Sequence, residues 1–472
     1  MKNIDNIDKS KLVLVYDEGD RITDQPLESK EIGYYKDSWN RFKKNRASLV
    51  AFIIICIFLV FIIFGPHIKV YNLPNTNPIE ATRIGYLPPK IPVLEKMGIA
   101  TGKNKITKGK RFLTHMYHSE FGKDVIISGF PQELAEDPNH PDFAAVPSLT
   151  VTVDMYKYIN YIKSYMPESY YGDLDNNEKG GSYVDPLGSV RRTLNETEFN
   201  DYLSKNYIID ILSVIETVNE ETGQRYISYE VRINQFLASL NQTPDDTYFW
   251  FGTTREGKDL FTEIWRGGRI SLLMALSVLL INTAVGLTIG SIVGYYGGVL
   301  DLIFDRIVEI ISSVPFLVVL TLLTLRYGSA LWVIVIAFTA TGWIGAYGTG
   351  RMQFYRFKNR EYVLAARTLG ASDARIMFKH IFPNTLGYIV TGYALAIPGF
   401  IFTEASYSFL GIINYANTTS IGMLLKQGQE TMHVYPHLLL FPSIYIAILM
   451  IAFNLFGNGL RDAFNPSLRG AE

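Results

Sequence analysis

Six long apolar runs constrain this chain of 472 residues more than any other feature. A helix needs about 20 predominantly apolar residues to cross a bilayer, and within the bilayer a helix satisfies all of its backbone hydrogen bonds internally. The runs that we predict to be spans are residues 47–64, 270–295, 310–325, 328–347, 386–410 and 436–456. The third is short, and we expect the preceding turn to extend it. The chain is therefore expected to be an all-α polytopic membrane bundle of six transmembrane helices.

Lysine and arginine concentrate before the first run and between the fourth and fifth runs, which predicts that both segments are cytoplasmic. These residues are Lys36, Arg41, Lys43, Lys44, Arg46, Arg351, Arg356, Lys358, Arg360, Arg367, Arg375 and Lys379. The short loops expected on the other side contain only Arg326 and Lys426. Six spans then return the C-terminus to the cytoplasm, and the predicted location is the plasma membrane, crossed several times.

The segment before the first run places Tyr35, Trp39 and Phe42 on one helical face, next to basic residues. Such a pattern predicts an interfacial elbow helix that lies flat on the inner leaflet. The net charge of −1 provides no basic excess to neutralise phosphates, which argues against a nucleic-acid binder. The only cysteine, Cys56, lies in an apolar run.

A long polar segment, residues 67–263, separates the first two runs; we call it the insert. Its pattern predicts strands at 148–158 and 226–233 and a helix at 207–218, so we expect a large inserted mixed α/β domain. By the topology above it is extracytoplasmic. Three roles stay open: a docking platform for a substrate-binding protein, a lid or channel over the pore, and a passive spacer.

The cytoplasmic segment at residues 349–385, which we call the coupling loop, contains the most informative motif. Helix-forming residues precede Gly370, Ser372 and Asp373 are suited to cap a second short helix, and Pro383 is expected to stop it. Ala365 and Ala366 add little bulk, so a partner's groove can approach the backbone. These features predict a rigid docking surface.

The motif formed by Ala365, Ala366, Gly370 and Ala371, followed by His380, Pro383 and Asn384, resembles the loop that ABC-importer permeases of the peptide and nickel branch present to their ATPase subunits. The start at the elbow and first span and the chain from Trp250 onward also resemble this branch of binding-protein-dependent inner-membrane components, of the oligopeptide/dipeptide permease C type. One departure is Leu364, where the family usually has Glu before the two alanines. The nearest carboxylate, Glu361, is the candidate to replace it.

The resemblance implies the ABC-importer permease fold and a non-catalytic subunit that translocates oligopeptides or dipeptides by alternating access. It implies four kinds of partner: a second permease subunit in a heterodimer, two ATPase subunits that bind ATP and Mg, an extracytoplasmic substrate-binding protein, and the peptide. No cofactor or metal is expected on this chain. Nickel or another small solute stays open as the substrate, and a membrane-anchored extracellular sensor or enzyme is a remote alternative.

Charged residues near or inside the runs are further candidates, because a charge in a membrane is costly unless it is paired. Asp301, Arg306 and Glu309 are predicted to form a cluster at the cytoplasmic face, with a merely solvated turn as the alternative. Glu404 lies inside the fifth run near Ser406 and Ser408. It is predicted either to line the translocation path or to form an intramembrane pair.

The segment 252–259 has the spacing of a phosphate-binding loop, with Gly252, Gly257 and Lys258, but Asp259 occupies the position that needs Ser or Thr. A carboxylate there repels phosphate, so nucleotide binding is not expected. The predicted organisation is a cytoplasmic tail with the elbow (1–46), the first span (47–66), the insert (67–263), a five-helix core containing the coupling loop (264–458), and a cytoplasmic C-terminal tail (459–472).

Overall fold

A computed structural model describes residues 34–68, 84–143, 145–165, 191–218, 225–415 and 418–464. The α-helices are α1 Tyr34–Lys44, α2 Arg46–Ile68, α3 Pro92–Glu95, α4 Lys110–His118, α5 Gln132–Glu136, α6 Met155–Asn160, α7 Glu196–Ser204, α8 Gln235–Leu240, α9 Leu260–Tyr296, α10 Gly298–Ser312, α11 Phe316–Tyr327, α12 Leu331–Phe357, α13 Glu361–Thr368, α14 Asp373–Arg375, α15 Phe382–Phe409, α16 Ile421–Thr431 and α17 His437–Phe464. The β-strands are β1 Lys103–Gly109, β2 Ile126–Ser128, β3 Ser148–Asp154, β4 Arg191–Asn195, β5 Ile208–Val218 and β6 Arg225–Ile233.

Within the described residues, five helices are long and apolar enough to cross a membrane, or six if the bent pair α10 and α11 forms one span. The chain is a helical membrane protein, as predicted. The third apolar run, which we expected the preceding turn to extend, is divided between α10 and α11, and these two helices meet at an angle of 66°. Pro315 stands at the start of α11 and has no N–H with which to continue the preceding helix, which accounts for the break.

Helices α9 and α12 pack along a row of three glycines, Gly286, Gly290 and Gly294, which are spaced four residues apart on α9. A side-chain carbon at any of them would overlap a backbone carbonyl oxygen of α12, at Trp343, Tyr347 and Arg351 respectively. Small residues at this spacing let two membrane helices approach closely. The row therefore fixes α9 directly against α12.

The end of α2 contains Pro66, which cannot donate a hydrogen bond to the carbonyl of Ile62 four residues earlier. Arg269 of α9 supplies the missing donors, with Nε 3.0 Å and Nη2 2.8 Å from the Ile62 oxygen. Its Nη2 also lies 2.9 Å from the Ile63 oxygen. The place where the chain leaves the first span is thus held by the second.

The described part of the insert contains two antiparallel sheets of three strands, with orders β1-β3-β2 and β4-β6-β5. The expected strands correspond to β3 and β6, although the chain turns helical after Asp154, whose side chain caps α6. The helix predicted for 207–218 is wrong, because Ile208–Val218 is β5 and pairs with β6. Its β-branched residues favour a strand, and pairing with β6 decides between the two periodicities.

The two ends of the insert run side by side, forming what we call the neck, residues 84–90 against 249–254. Buried Thr253 accepts a hydrogen bond from the Leu87 amide at 2.8 Å and donates one to the Ile84 carbonyl at 2.9 Å. Backbone bonds join Tyr86 to Thr254 and Lys90 to Phe249. The segment that resembles a phosphate loop therefore makes the neck, and Asp259 caps α9.

Helix α1 places Phe42 in the bundle rather than at its surface. Phe42 is 1% exposed and packs edge-on against Phe456 of α17, with ring centroids 5.6 Å apart. Trp39 stacks on Phe42 and is 42% exposed. The side chain of Tyr35 lies outside the described residues.

Candidate functional site

Helix α13 lies in the centre of the coupling loop. One of its faces packs on the bundle, and the opposite face is exposed. Its Val363 is fully buried in an apolar cluster with Ile376, Ile381, Tyr295 and Phe354, contributed by α9, α12 and the turn before α15. The other face is exposed, as at Glu361, Leu364 and Ala365. Only residues 358–372 lie outside the flanking helices, so α13 is the part of the loop that projects.

Gly370 ends α13 with a local geometry that favours glycine. Its φ is +79°, its amide donates to the Arg367 carbonyl at 3.0 Å, and the Ala371 amide donates to the Ala366 carbonyl at 3.0 Å. This is a Schellman motif, which needs the left-handed conformation that glycine adopts without strain. Nothing lies within 4 Å of where a Gly370 side chain would begin, and Leu369 beside it is 88% exposed.

Exposed apolar side chains extend this surface, which is unusual for a loop in water. Leu364 is 44% exposed and Phe378, on the turn that follows, is 72% exposed. A short helix that shows apolar side chains beside small residues suits a groove on a partner protein. Of the predicted coupling residues, Glu361, Ala365 and Gly370 are on this open side, and Ala366 and Ala371 are half-buried.

Of the remaining predicted coupling residues, His380 lies in the turn at Ile376–Ile381, and Pro383 and Asn384 follow it. Asn384 donates to the His380 carbonyl at 2.7 Å and contacts the Tyr362 hydroxyl at 3.5 Å. Burial raises the pKa of Tyr362, with Asn384 opposing that effect. The prediction that Pro383 stops a short helix is wrong. One continuous helix runs over Asp373–Phe409. A π-helical turn at Ile376–Ile381 widens the backbone just before the proline and accommodates its ring.

The coupling loop is tied to the C-terminal end of α9 by polar contacts, which we call the joint. The Tyr295 hydroxyl donates to Asp373 Oδ1 at 2.5 Å and accepts from Arg367 Nη2 at 3.2 Å. Lys358 Nζ lies 3.0 Å from the Gly294 carbonyl and 3.2 Å from that of Tyr295. Since a cation stabilises the free carbonyls at a helix end, Lys358 also completes α9.

The predicted charge cluster is divided between two places. Asp301 forms a two-pronged ion pair with Arg351 of α12, at 2.5 and 2.9 Å, and Asp305 lies 3.3 Å from the same guanidinium. Arg306 pairs with Glu309 at 2.5 Å on the exposed side of α10. Asp301 therefore does not join Arg306 and Glu309, because its partner comes from a different helix.

Glu404 is fully buried and accepts hydrogen bonds only from hydroxyl groups within the described residues. The donors are Ser271 of α9 at 2.9 Å, Ser408 at 3.0 Å and Tyr415 at 3.3 Å. Ser406 is elsewhere, with its hydroxyl bonded to the Phe402 carbonyl at 2.7 Å. The three donors belong to this chain, and both roles predicted for Glu404 stay predictions.

Two family models match the chain. Residues 286–470 match the binding-protein-dependent transport system inner membrane component, and residues 33–89 match the N-terminal transmembrane domain of oligopeptide transport permease C. A dipeptide transport system permease protein of Bacillus subtilis is 39% identical over 247 residues, which are 52% of this chain and 76% of that protein. The chain belongs to this family of inner membrane components.

Two other permease relatives give a similar measure of likeness. An oligopeptide transport system permease protein of Bacillus subtilis is 42% identical over 49% of this chain and 76% of its own length. One of Haemophilus influenzae is 39% identical over 47% of this chain and 71% of its own length. The matched models leave out residues 90–285, which contain most of the insert.

Sequence reasoning missed the residues that connect the coupling loop of this permease to the bundle. Tyr295, which makes the joint, read as the last residue of an apolar run. Arg351 was counted only as one of many cytoplasmic charges. A usable signal for the joint is the pair Tyr295-Tyr296 directly before Gly297-Gly298, because aromatic hydroxyls at the end of a span need polar partners.

Proposed function

We propose that this chain is the permease subunit of an ABC importer that moves oligopeptides or dipeptides across the plasma membrane. It works with a second permease subunit, two ATPase subunits that bind ATP and Mg, and an extracytoplasmic substrate-binding protein. The chain itself binds no cofactor and performs no catalysis. Family membership and the names of the peptide permease relatives support this function.

The observation that carries the proposal is the shape of the coupling loop. A partner ATPase docks on the open face of α13 around Gly370, and its movement on ATP binding displaces α13. The buried side of α13 passes this displacement to the bundle through Val363 and the joint at Tyr295. The bundle then shifts its opening from one side of the membrane to the other.

The proposed topology places both termini and the coupling loop in the cytoplasm and the insert outside. The proposed units are those predicted from the sequence: the tail with the elbow, the first span, the insert, the five-helix core and the C-terminal tail. The distribution of lysine and arginine supports this orientation.

The test is uptake of labelled dipeptides, longer peptides and nickel by cells that carry or lack this chain. Loss of peptide uptake alone on deletion supports the proposal and grades the preferred length. Loss of nickel uptake alone assigns the chain to metal import instead. Unchanged uptake of the whole panel contradicts the proposed substrates.

A Gly370 series tests the docking surface separately. Asn tolerates the left-handed conformation, Ala adds about 1 kcal/mol of backbone strain without bulk, and Trp adds both. We expect Gly370→Asn and Gly370→Ala to retain substantial uptake and Gly370→Trp to abolish it at an equal amount of protein in the membrane. Normal uptake by Gly370→Trp contradicts docking at this face.

A further inference from the structure

A cavity of about 190 Å³ lies where the neck meets α16, remote in sequence from the coupling loop. The neck contributes Tyr86, the residues directly after it contribute Arg255 and Glu256, and α16 contributes Lys426 and Glu430. At roughly 30 Å³ per water molecule, this space holds about six waters, comparable to a small dipeptide.

The charged residues around the cavity are of both signs, and they do not pair with one another. Within the described residues, Arg255, Glu256, Lys426 and Glu430 form no ion pair with another side chain. Lys426 and Glu430 stand one turn apart on α16, a spacing at which opposite charges often pair, yet both line the cavity instead. Two cationic and two anionic residues therefore line one cavity that is partly open to solvent.

Tyr86 lines the same cavity and has both an unusual backbone conformation and a stacked aromatic neighbour. Its φ is +64°, an uncommon value for a residue other than glycine, and such strain clusters at binding sites. Its ring stacks on Tyr435 with centroids 4.4 Å apart. Burial raises the pKa of Tyr86, Arg255 lowers it, and Glu256 and Glu430 raise it further, so these charges act on its hydroxyl.

The segments that carry the charged residues are held in place by contacts with the rest of the chain. On one side the hydrogen bonds of Thr253 fix the neck. On the other, Gly422 and Gly428 let α16 pack directly on α15 and on the start of α17, where a side-chain carbon would contact the backbones of Ala405 and Leu438. The backbone that carries the charged residues is therefore in place before a ligand enters, which lowers the entropy cost of binding.

We propose that this cavity binds a short peptide with free termini, a zwitterion whose ammonium group faces Glu256 and Glu430 and whose carboxylate faces Arg255 and Lys426. Tyr86 offers its hydroxyl to the peptide backbone between them. The inference rests on the proposed function and deepens it, because it locates where this subunit first contacts substrate. A solute with one charge pairs with only half of these groups, and a neutral solute pairs with none of them.

The test is direct binding of labelled dialanine to the purified four-subunit transporter in nanodiscs, without substrate-binding protein and without ATP. We expect Lys426→Gln and Glu430→Gln each to weaken binding about tenfold, since each removes one charge-assisted hydrogen bond. Arg326→Gln and Glu133→Gln are the matched controls, because both residues are exposed and outside the cavity. Dialanine blocked by N-acetyl and amide groups should not compete with the labelled peptide.

Wild-type affinity in both cavity variants, equal competition by the blocked peptide, or no binding by the wild-type complex overturns the inference. The uptake panel separates this failure from that of the proposed function. A chain that imports peptides normally while the purified complex shows no charge-dependent binding keeps its proposed function and loses only the cavity.

Discussion

Helix α9 is held near its two ends by different chemistry. At its C-terminal end, buried Tyr295 bonds to Arg367 and Asp373 in the joint, and the side chains of Arg367 and Asp373 are exposed. In its N-terminal half, Ser271 binds Glu404, which is fully buried and has only hydroxyl partners within the described residues. The first set reaches water and the second does not.

This difference in solvent exposure indicates which end of α9 can change its contacts at low energetic cost. Charged groups that touch water can exchange one partner for another at low cost, because solvent compensates each contact that is lost. A buried carboxylate has no such substitute, and each donor left without an acceptor costs the full desolvation of that group. The joint is suited to move with the coupling loop, while the Glu404 contacts hold the bundle together.

The largest expected effect comes from Gly290→Leu, which lies between the two ends of α9 and forces α9 away from α12. The new side chain must displace the Tyr347 carbonyl and push α12 away from α9. Overpacking of this kind costs about 1–3 kcal/mol or more, so we expect little assembled transporter and no uptake. The measurement is the yield of complex by size-exclusion chromatography.

Gly290→Ala and Gly345→Leu are the comparisons for that variant. Alanine should give a partial loss, and Gly345 has open space around its position, so leucine there should be tolerated. A normal yield of Gly290→Leu would show that the α9–α12 contact is not tight.

Glu404→Leu should be next in size, because the hydroxyls of Ser271 and Ser408 lose their acceptor, while that of Tyr415 keeps Met274 Sδ at 3.0 Å. At about 1–3 kcal/mol for each unsatisfied buried group, the purified complex should unfold at a clearly lower temperature. Glu404→Gln keeps one acceptor oxygen and should lose less. A Glu404→Leu complex that is as stable as wild type but does not transport would show that the Glu404 contacts serve transport rather than the stability of the bundle.

Tyr295→Phe should leave stability nearly unchanged and reduce coupling. The ring stays in its cluster beside Arg367, but the hydroxyl contacts to Asp373 and Arg367 are lost. We expect uptake per ATP hydrolysed to fall by roughly fivefold or more, the usual size of coupling between sites. ATP hydrolysis and uptake are measured together in proteoliposomes.

The matched control is Tyr355→Phe, because Tyr355 is 65% exposed and lies outside the joint. If the Tyr295→Phe transporter couples uptake to ATP hydrolysis as tightly as this control, the hydroxyl contacts of the joint do not transmit movement from the coupling loop to the bundle.

Arg306→Gln should have the smallest effect. Both members of its ion pair are largely exposed, 77% for Arg306 and 66% for Glu309, and such pairs contribute about 0–1 kcal/mol. Arg351→Gln serves as the contrast, since it removes the contact between α10 and α12 at Asp301. Thermal unfolding of both variants checks the order, and an equal loss for both would show that exposure does not decide the strength of these pairs.

The membrane helices were predictable because each must supply its own run of apolar residues, and such runs are visible without knowing the neighbours. The break in the third run was also signalled, by Pro315. Strand β5 was not predictable in the same way, since its apolar spacing fits either period and only pairing with β6 selects one.

The coupling loop was recognisable from Ala365 to Asn384, but its attachments were not. The contacts of Tyr295, Lys358 and Arg351 each join residues from separate helices, and one sequence does not show which side chains meet across helices. Pro383 misled the prediction for a local reason, because the π-helical turn that accommodates it leaves no clear pattern in the sequence.

The neck explains how the helix bundle can accommodate a long insert between its first two spans. Its two segments run side by side, with the Leu87 amide bonded to Thr253. Once the ends of a loop are brought together by their own bonds, adding residues beyond them increases the entropy cost of closure only slowly. The number of residues beyond the neck can therefore vary at little cost to the helix bundle, because the neck, and not the length of the insert, holds the two ends together.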